Sequence, residues 1–420
     1  MSTTFNCSVA SGALSGTYDP KFERVAGEFE KNYRERGELG ASVCVMLNGE
    51  PVVDLWGGTA RADDGAPWNT DTLAVVWSCT KGAVSFCAHV LASRGQLDLD
   101  ARVTDYWPEY GQNGKAATTV KMLLSHQSGV CAVSEHLPPR AYADWDLMVR
   151  TIENQEPFFE PGTAHGYQAL TYGWVVGEVI RRVSGQSLGR FFREAIAEPL
   201  GIDFWIGLPP VDESRTARMI MPEPDLENLS PFLAAMVNSN SVQALAMGNS
   251  GGYLDIAENK VRGFDTPTAH QAEIGAAGGL TNGRGLAGMY APLACGGSLN
   301  GVEYVSPDIL ARMGAVASAS NLDVTLLAPM RFSLGFFKAI DNRRGVPGTR
   351  DSMFLPEPAF GHPGYGGSIG FADPQARISF GYNMNRMGQG MLLNERSQSL
   401  IDAVYLSLGY RSRESGNWLN

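Results

Sequence analysis

The sequence predicts an α+β fold: an antiparallel sheet flanked by helices, joined to a mostly helical body. Three observations predict it. A strong hairpin signal lies near residue 48, helical periodicity dominates from Asp71 to about Leu208, and strand-like runs return after residue 330. Strands toward both ends with helices between them require the termini to meet in one sheet. The predicted division therefore assigns residues 1–75 and 275–420 to a sheet-containing domain and residues 76–274 to a mostly helical one with long loops.

Each element has a local reason. In "PKFERVAGEFEKNYRERGE" (20–38), Pro20 suits a first helical turn, and Phe22, Val25, Ala26 and Phe29 fall on one side. The next run, "GASVCVMLNGEPVVDLWGG", puts Asn48-Gly49 between β-branched and aromatic stretches. Both central positions of a type I′ turn need positive φ, so this pair predicts a two-residue hairpin and a sheet that begins near residue 41. In "KGAVSFCAHVLASRG" the residues Ala83, Cys87, Val90 and Leu91 share a helical face, and Gly95 is placed to stop it. A second helix is predicted over Leu170–Gly185. Pro209 to about His270, rich in Pro, Asn, Ser and Gly, reads as long loops with short helices. "RFSLGFF", "GSIGFAD" and "ARISFGYNMN" read as strands, the last two joined by a tight "PQ" connection, and a helix from about Asn394 to Leu408 closes the chain.

Composition narrows function. Hydrophobic residues at 44% and charged ones at 18% describe a globular chain, and a net charge of −11 leaves no basic stripe to hold nucleic acid or an acidic membrane surface. The N-terminus has neither a cationic start nor an apolar core of the secretory kind, and no run of 18 apolar residues occurs, so a cytoplasmic location is expected. The six cysteines (Cys7, Cys44, Cys79, Cys87, Cys131, Cys295) and six histidines lack metal-ligand spacing. Buried free thiols, no metal and no cofactor are expected.

The chemistry-bearing stretch is "VVWSCTKGAV", Val75–Val84. Of seven lysines, only Lys81 has a serine three places before it. Chance alone yields about half of one such tetrapeptide, so spacing is not enough. A bland reading makes Ser78 a helix cap and Lys81 a solvated first-turn residue. Against it, a cation is badly placed at the positive N-terminal end of a helix, and the apolar flanks leave no solvent-facing stripe. Burial favours the neutral amine. Three residues apart on a helix, that amine reaches the serine hydroxyl and can act on it as a general base.

With these residues in hand, the sequence resembles the serine β-lactamases and penicillin-binding proteins, which carry S-x-x-K at the start of a central helix. It is most similar to their ester-cleaving branch, the family VIII carboxylesterases related to class C enzymes. The resemblance runs through "WSCTKG", "GQLDLDARVTDYWPEY", "VKMLLSHQSGV", "PGTAHGYQALTYGWVVGEVI", "GAAGGLTNGRGLAGMY" and "FGHPGYGGSIGFAD". It implies a β-lactamase/transpeptidase-like fold with the active site between the two domains.

What the resemblance implies for single residues follows motif by motif. Tyr167 stands at the tyrosine of Y-x-N, but the motif reads Tyr-Gln-Ala, so Ala169 lacks the amide that would orient a β-lactam. His362, Pro363 and Gly364 stand at K-T-G, on what would be an edge strand. An imidazole, mostly neutral near pH 7, pulls less on a penicillin carboxylate and favours uncharged esters. The backbone N–H groups of Ser78 and Tyr365 would form the oxyanion hole, with His362, Gly364 and Trp77 binding substrate. The implied activity is a serine hydrolase acting on small, short-chain carboxylic esters through an acyl-enzyme, with β-lactam hydrolysis as a weak side activity. An acyltransferase or a β-lactamase using the same Ser78, Lys81 and Tyr167 site, or an idle ligand-binding module on the same fold, are the alternatives. Oligomeric state is not readable.

Other candidates weigh less. "GGSIG" around Ser368 and "GNSGG" around Ser250 fit G-x-S-x-G, but neither lies between a strand and a helix as a nucleophile elbow must. Tyr172 falls inside the apolar pattern of its helix and reads as core. His126 reads as a loop-holding histidine.

Overall fold

The computed structural model describes residues 2–223, 230–256, 261–345, 348–412 and 418–419. Its centre is an antiparallel sheet of eleven strands, ten of which follow one path. In chain order these are β1 (Thr3–Val9), β2 (Gly12–Tyr18), β3 (Gly40–Leu47), β4 (Glu50–Arg61), β5 (Ser318–Ser320), β6 (Met330–Phe332), β7 (Phe337–Lys338), β8 (Phe360–Pro363), β9 (Ile369–Asp373) and β10 (Ile378–Met384). Their spatial order is β1-β2-β4-β3-β10-β9-β8-β7-β6-β5, and Ala66–Pro67 pairs with β4 as the eleventh strand. The two ends of the chain meet at β3 and β10, where Ala41 opposes Met384 and Leu47 opposes Ile378.

The Asn48-Gly49 turn forms as the sequence predicts, with φ of 55° and 85°. The sheet, however, begins at residue 3 and not near 41. β1 and β2 form an extra hairpin, and most β1 side chains are exposed or half-exposed. A strand that is wet on both faces needs no apolar alternation, so it leaves no periodic signal. A second correction concerns β8, which carries His362. It is an interior strand, bonded to β7 on one side and β9 on the other.

Among the described residues five helices run to twelve or more residues. α1 (Glu23–Glu35), entered through a short turn at Pro20–Phe22, buries Val25, Ala26 and Phe29. It packs beside α5 (Glu395–Ser407), and the two close over a core built from β3, β4, β9 and β10. α4 (Gly283–Ala294) lies against β3, β9 and β10. α2 (Cys79–Ser93) and α3 (Thr171–Ser184) pack on each other in the helical part, within a second apolar core. Gly95 (φ 68°) follows α2 and Gly185 (φ 70°) ends α3, both left-handed as C-terminal stops require.

Two features of the middle were not predicted. Ala74–Val75, Gly279–Thr281 and Phe204–Ile206 form a small antiparallel sheet that leads straight into α2. α2 is also more deeply buried than a one-sided pattern implies, since every residue from Cys79 to Leu91 is buried. The loop-rich reading of 209–270 holds for its described parts, with short helices at Pro231–Ala235 and Val242–Gly248. Residues 224–229 and 257–260 of that reading lie outside the described residues. After α5 the chain continues into a short pairing of Arg411–Ser412 with Trp418–Leu419. Among the described residues no helix is long and apolar enough to cross a membrane.

Candidate functional site

Ser78 sits at the entrance of α2 with helical backbone angles, φ −65° and ψ −9°, and its side chain caps nothing. The bland capping reading therefore falls. A true cap residue adopts extended angles so that its oxygen can turn back to the helix N–H groups, whereas here the hydroxyl faces Lys81. Trp77, immediately before it, is held at φ 52°. A bulky residue in the left-handed region costs about 1–3 kcal/mol and persists only under constraint. The constraints are visible. Thr80 donates to the Trp77 carbonyl through both N–H (2.9 Å) and Oγ1 (2.6 Å), and the indole is wedged against Phe264, Tyr365 and Tyr253.

Lys81 is wholly buried, and Nζ lies 3.0 Å from Ser78 Oγ and 2.8 Å from each of the Ala169 and Ala276 carbonyl oxygens. Burial pushes its pKa well below the ordinary lysine value. In the neutral amine, two N–H bonds go to the two carbonyls, and the lone pair is left for the serine O–H. The tertiary structure thus aims the amine at the serine oxygen. Tyr167 covers this group, with Nζ 4.9 Å from its ring centroid. Burial raises the phenol pKa, opposed by the neighbouring Ser78 side chain, so Tyr167 is a neutral group able both to donate and to accept.

The sheet supplies the facing wall. His362 is 1% exposed; its Nδ1 donates to the Pro363 carbonyl (2.8 Å), and its ring packs on Phe337 and Tyr167. Burial, reinforced by Lys81, pushes its pKa well below the ordinary range, so the ring is neutral. Gly364 backs onto the start of α2: a Cβ there would stand 2.1 Å from Ser368 Oγ and 2.4 Å from the Val76 carbonyl oxygen. This close approach brings the half-buried Tyr365 beside Trp77. Among the described residues, neither the Ser78 nor the Tyr365 backbone N–H donates a hydrogen bond, which leaves both free for an oxyanion. Trp77, expected to touch substrate, is only 4% exposed and serves as the backing of that wall.

A profile of the Beta-lactamase family matches residues 25–404. The chain belongs to the beta-lactamase family. It is a serine hydrolase of that family, with carboxylesterase relatives. It is 33% identical over 398 residues to the esterase/beta-lactamase LipL of Mycobacterium tuberculosis (strain ATCC 25618 / H37Rv), covering 92% of this chain and 86% of LipL. The crystal structure of a family VIII carboxylesterase superposes with a TM-score of 0.80 at 38% identity, covering 94% of this chain and 99% of the other. A penicillin-binding protein homologue from Caulobacter crescentus gives 0.79 at 32% identity, with coverage of 94% and 99%.

In this beta-lactamase-family chain the alternative nucleophile candidates Ser368, Ser250 and Cys79 have structural partners. Ser368 Oγ donates to the Val76 carbonyl (3.1 Å), and Ser250 Oγ accepts from the Leu254 N–H (3.1 Å). Tyr172 is core, 2.7 Å from Ser85 Oγ. Cys79, next to Ser78, donates to the His362 carbonyl (3.2 Å), and burial pushes its thiol up to about 12, too high to compete as a nucleophile. Of the six cysteines, Cys7 and Cys295 are half-exposed and not buried as expected. Sequence reasoning missed Ala169 and Ala276, whose carbonyls hold Lys81. Tyr-Gln-Ala was read for the amide it lacks, while its backbone oxygen does the holding, and a backbone contact has no side-chain signature. Among the described residues no group of acidic, histidine or cysteine side chains is arranged to hold a metal.

Proposed function

We propose that the chain is a carboxylesterase that cleaves small, uncharged esters through an acyl-enzyme on Ser78. The observation that carries this reading is the desolvated Lys81 amine 3.0 Å from the serine oxygen, with two carbonyls fixing its hydrogens. As Oγ attacks the ester carbonyl, Lys81 takes the hydroxyl proton. Negative charge developing on the carbonyl oxygen is met by the N–H groups of Ser78 and Tyr365. Tyr167, over the Lys81 amine, passes its proton to the departing alkoxide and takes one back from the Lys81 ammonium, so both groups return to their starting state. Water then repeats the sequence in reverse roles and frees Ser78. The site lies where the proposed sheet-containing part (1–75 and 275–420) meets the helical part (76–274).

The preference for uncharged substrates rests on His362. Where the resemblance implies a permanent cation, this chain has a buried neutral imidazole with little to offer a substrate carboxylate. β-Lactam hydrolysis is the lesser second activity, favoured by the similarity to LipL, whose name joins both.

The test is turnover of p-nitrophenyl acetate and butyrate by the parent and by Ser78→Ala, with intact-mass and peptide analysis after fluorophosphonate labelling. Turnover lost in Ser78→Ala and a single label on the Ser78 peptide are expected. A label on Ser368, or turnover surviving in Ser78→Ala, would overturn the assignment.

A further inference from the structure

The loop that bears Tyr167 is fastened in an unusual way. Three successive backbone N–H groups all point away from the loop to only two residues. Gly166 donates to the His126 carbonyl oxygen (2.9 Å), Tyr167 to both carboxylate oxygens of Asp323 (3.1 and 3.0 Å), and Gln168 to His126 Nδ1 (3.2 Å). We propose that Asp323 and His126 form a clamp that positions the Tyr167 phenol against Lys81 and Ser78. The inference rests on the reading of Tyr167 as the proton relay.

Neither clamp residue has a competing surface role. Asp323 is wholly buried and His126 is 2% exposed. The Asp323 carboxylate also accepts from the N–H groups of Thr325 (2.8 Å) and Leu326 (2.7 Å), so its orientation is fixed by its own turn before it meets Tyr167. Among the described residues its one ion-pair candidate is His165, with Nε2 3.8 Å away, and burial holds that ring down to about 4, hence neutral. A buried carboxylate with no ionic partner costs folding energy, and burial accordingly pushes Asp323 up to about 7. Its return is geometric: both oxygens share the Tyr167 N–H, which a single acceptor could not hold as firmly. His126 completes the grip. Accepting through Nδ1 places its proton on Nε2, and the ring packs 4.9 Å from that of Tyr167, so it restrains the phenol from the side as well as through the backbone. The left-handed backbone at His126 (φ 60°) is what lets its carbonyl and its ring reach the same loop.

The experiment is a double-mutant cycle on p-nitrophenyl butyrate with Asp323→Asn, Tyr167→Phe and the pair. Asp323→Asn is expected to lower kcat by up to about 100-fold, the scale of a misplacement near 1 Å, with KM changed by no more than about twofold. In the Tyr167→Phe background the same substitution should change kcat by no more than about twofold. Equal losses in both backgrounds overturn the clamp while leaving Tyr167 as relay. Parental kcat in Tyr167→Phe overturns the relay, and the clamp with it. Should Asp323→Asn fail to fold, His126 gives an independent arm. His126→Phe is expected to lose kcat, and His126→Asn, whose Oδ1 replaces the Nδ1 acceptor, to regain most of it. Equal kcat in these two variants overturns the proposal.

Discussion

Gly364→Ala is the substitution from which the site geometry makes its sharpest forecast. The added methyl would meet Ser368 Oγ at 2.1 Å, the Val76 carbonyl oxygen at 2.4 Å and Cys79 Sγ at 3.3 Å. Comfortable contact for such pairs is about 3.5 Å, so the end of β8 must retreat from α2 by roughly 1 Å. Neither close neighbour yields easily, because the serine hydroxyl is tied to that same carbonyl (3.1 Å) and the carbonyl is backbone. Gly364 does not have the positive φ that would itself penalise alanine, so only the contact matters. Overpacking of this kind costs about 1–3 kcal/mol of stability. The larger effect is expected in catalysis, because the next residue, Tyr365, carries one of the two proposed oxyanion donors. Losing one such donor lowers kcat by about 10²–10³-fold. The assay is kcat and KM on p-nitrophenyl butyrate, with fluorophosphonate titration to count competent sites and urea unfolding for stability. Adding Ser368→Ala should restore only part of the rate, since the Val76 oxygen remains. Parental kcat per competent site in Gly364→Ala would refute the claim that this close approach sets the oxyanion hole.

Three further outcomes are expected. Because Lys81 must be neutral to accept the serine proton and burial lowers its pKa, kcat/KM should rise with pH and level off well below the value near 10.4 of an ordinary lysine. Lys81→Ala should remove that limb and about 10²–10⁴-fold of the rate, whereas a parental limb centred near pH 10 would contradict a desolvated base. Away from the site, Arg396 Nη1 binds the fully buried Glu38 carboxylate at 2.7 Å, and Tyr382 also donates to it. Arg396→Met strands that charge and should cost about 3–5 kcal/mol in urea unfolding, and a loss under about 1 kcal/mol would show the pair to be dispensable.

How much of the molecule was legible depended on where each signal resides. The Asn48-Gly49 hairpin, the α2 and α3 helices with their glycine stops, and the strands in "GSIGFAD" and "ARISFGYNMN" were readable, because turn chemistry and apolar periodicity are local properties of the chain. The run "RFSLGFF", expected as one strand, instead divides between β6 and β7, which pair antiparallel across a turn. The β1–β2 hairpin was not, since its wet strands carry no apolar alternation. The placement of His362 on an edge strand also failed. Strand neighbours are set by which segments meet across the sheet, and β7, which covers that side of β8, contributes only Phe337 and Lys338 to pairing. Trp77 was legible as a neighbour of Ser78 but not as a buried support, because its partners Phe264 and Tyr365 come from distant segments.

By itself, the sequence determined that a serine and a lysine would share the first turn of a helix too apolar to solvate a cation. That follows from helical spacing and from the cost of burying charge, both of which act within a few residues. Only the tertiary structure decided how the amine is aimed. Ala169 and Ala276 lie 88 and 195 residues from Lys81, and the grip of Asp323 on Tyr167 spans 156. Each contact takes one partner from the main chain, a carbonyl or N–H with no side-chain signature, so folding alone selects which ones meet the site.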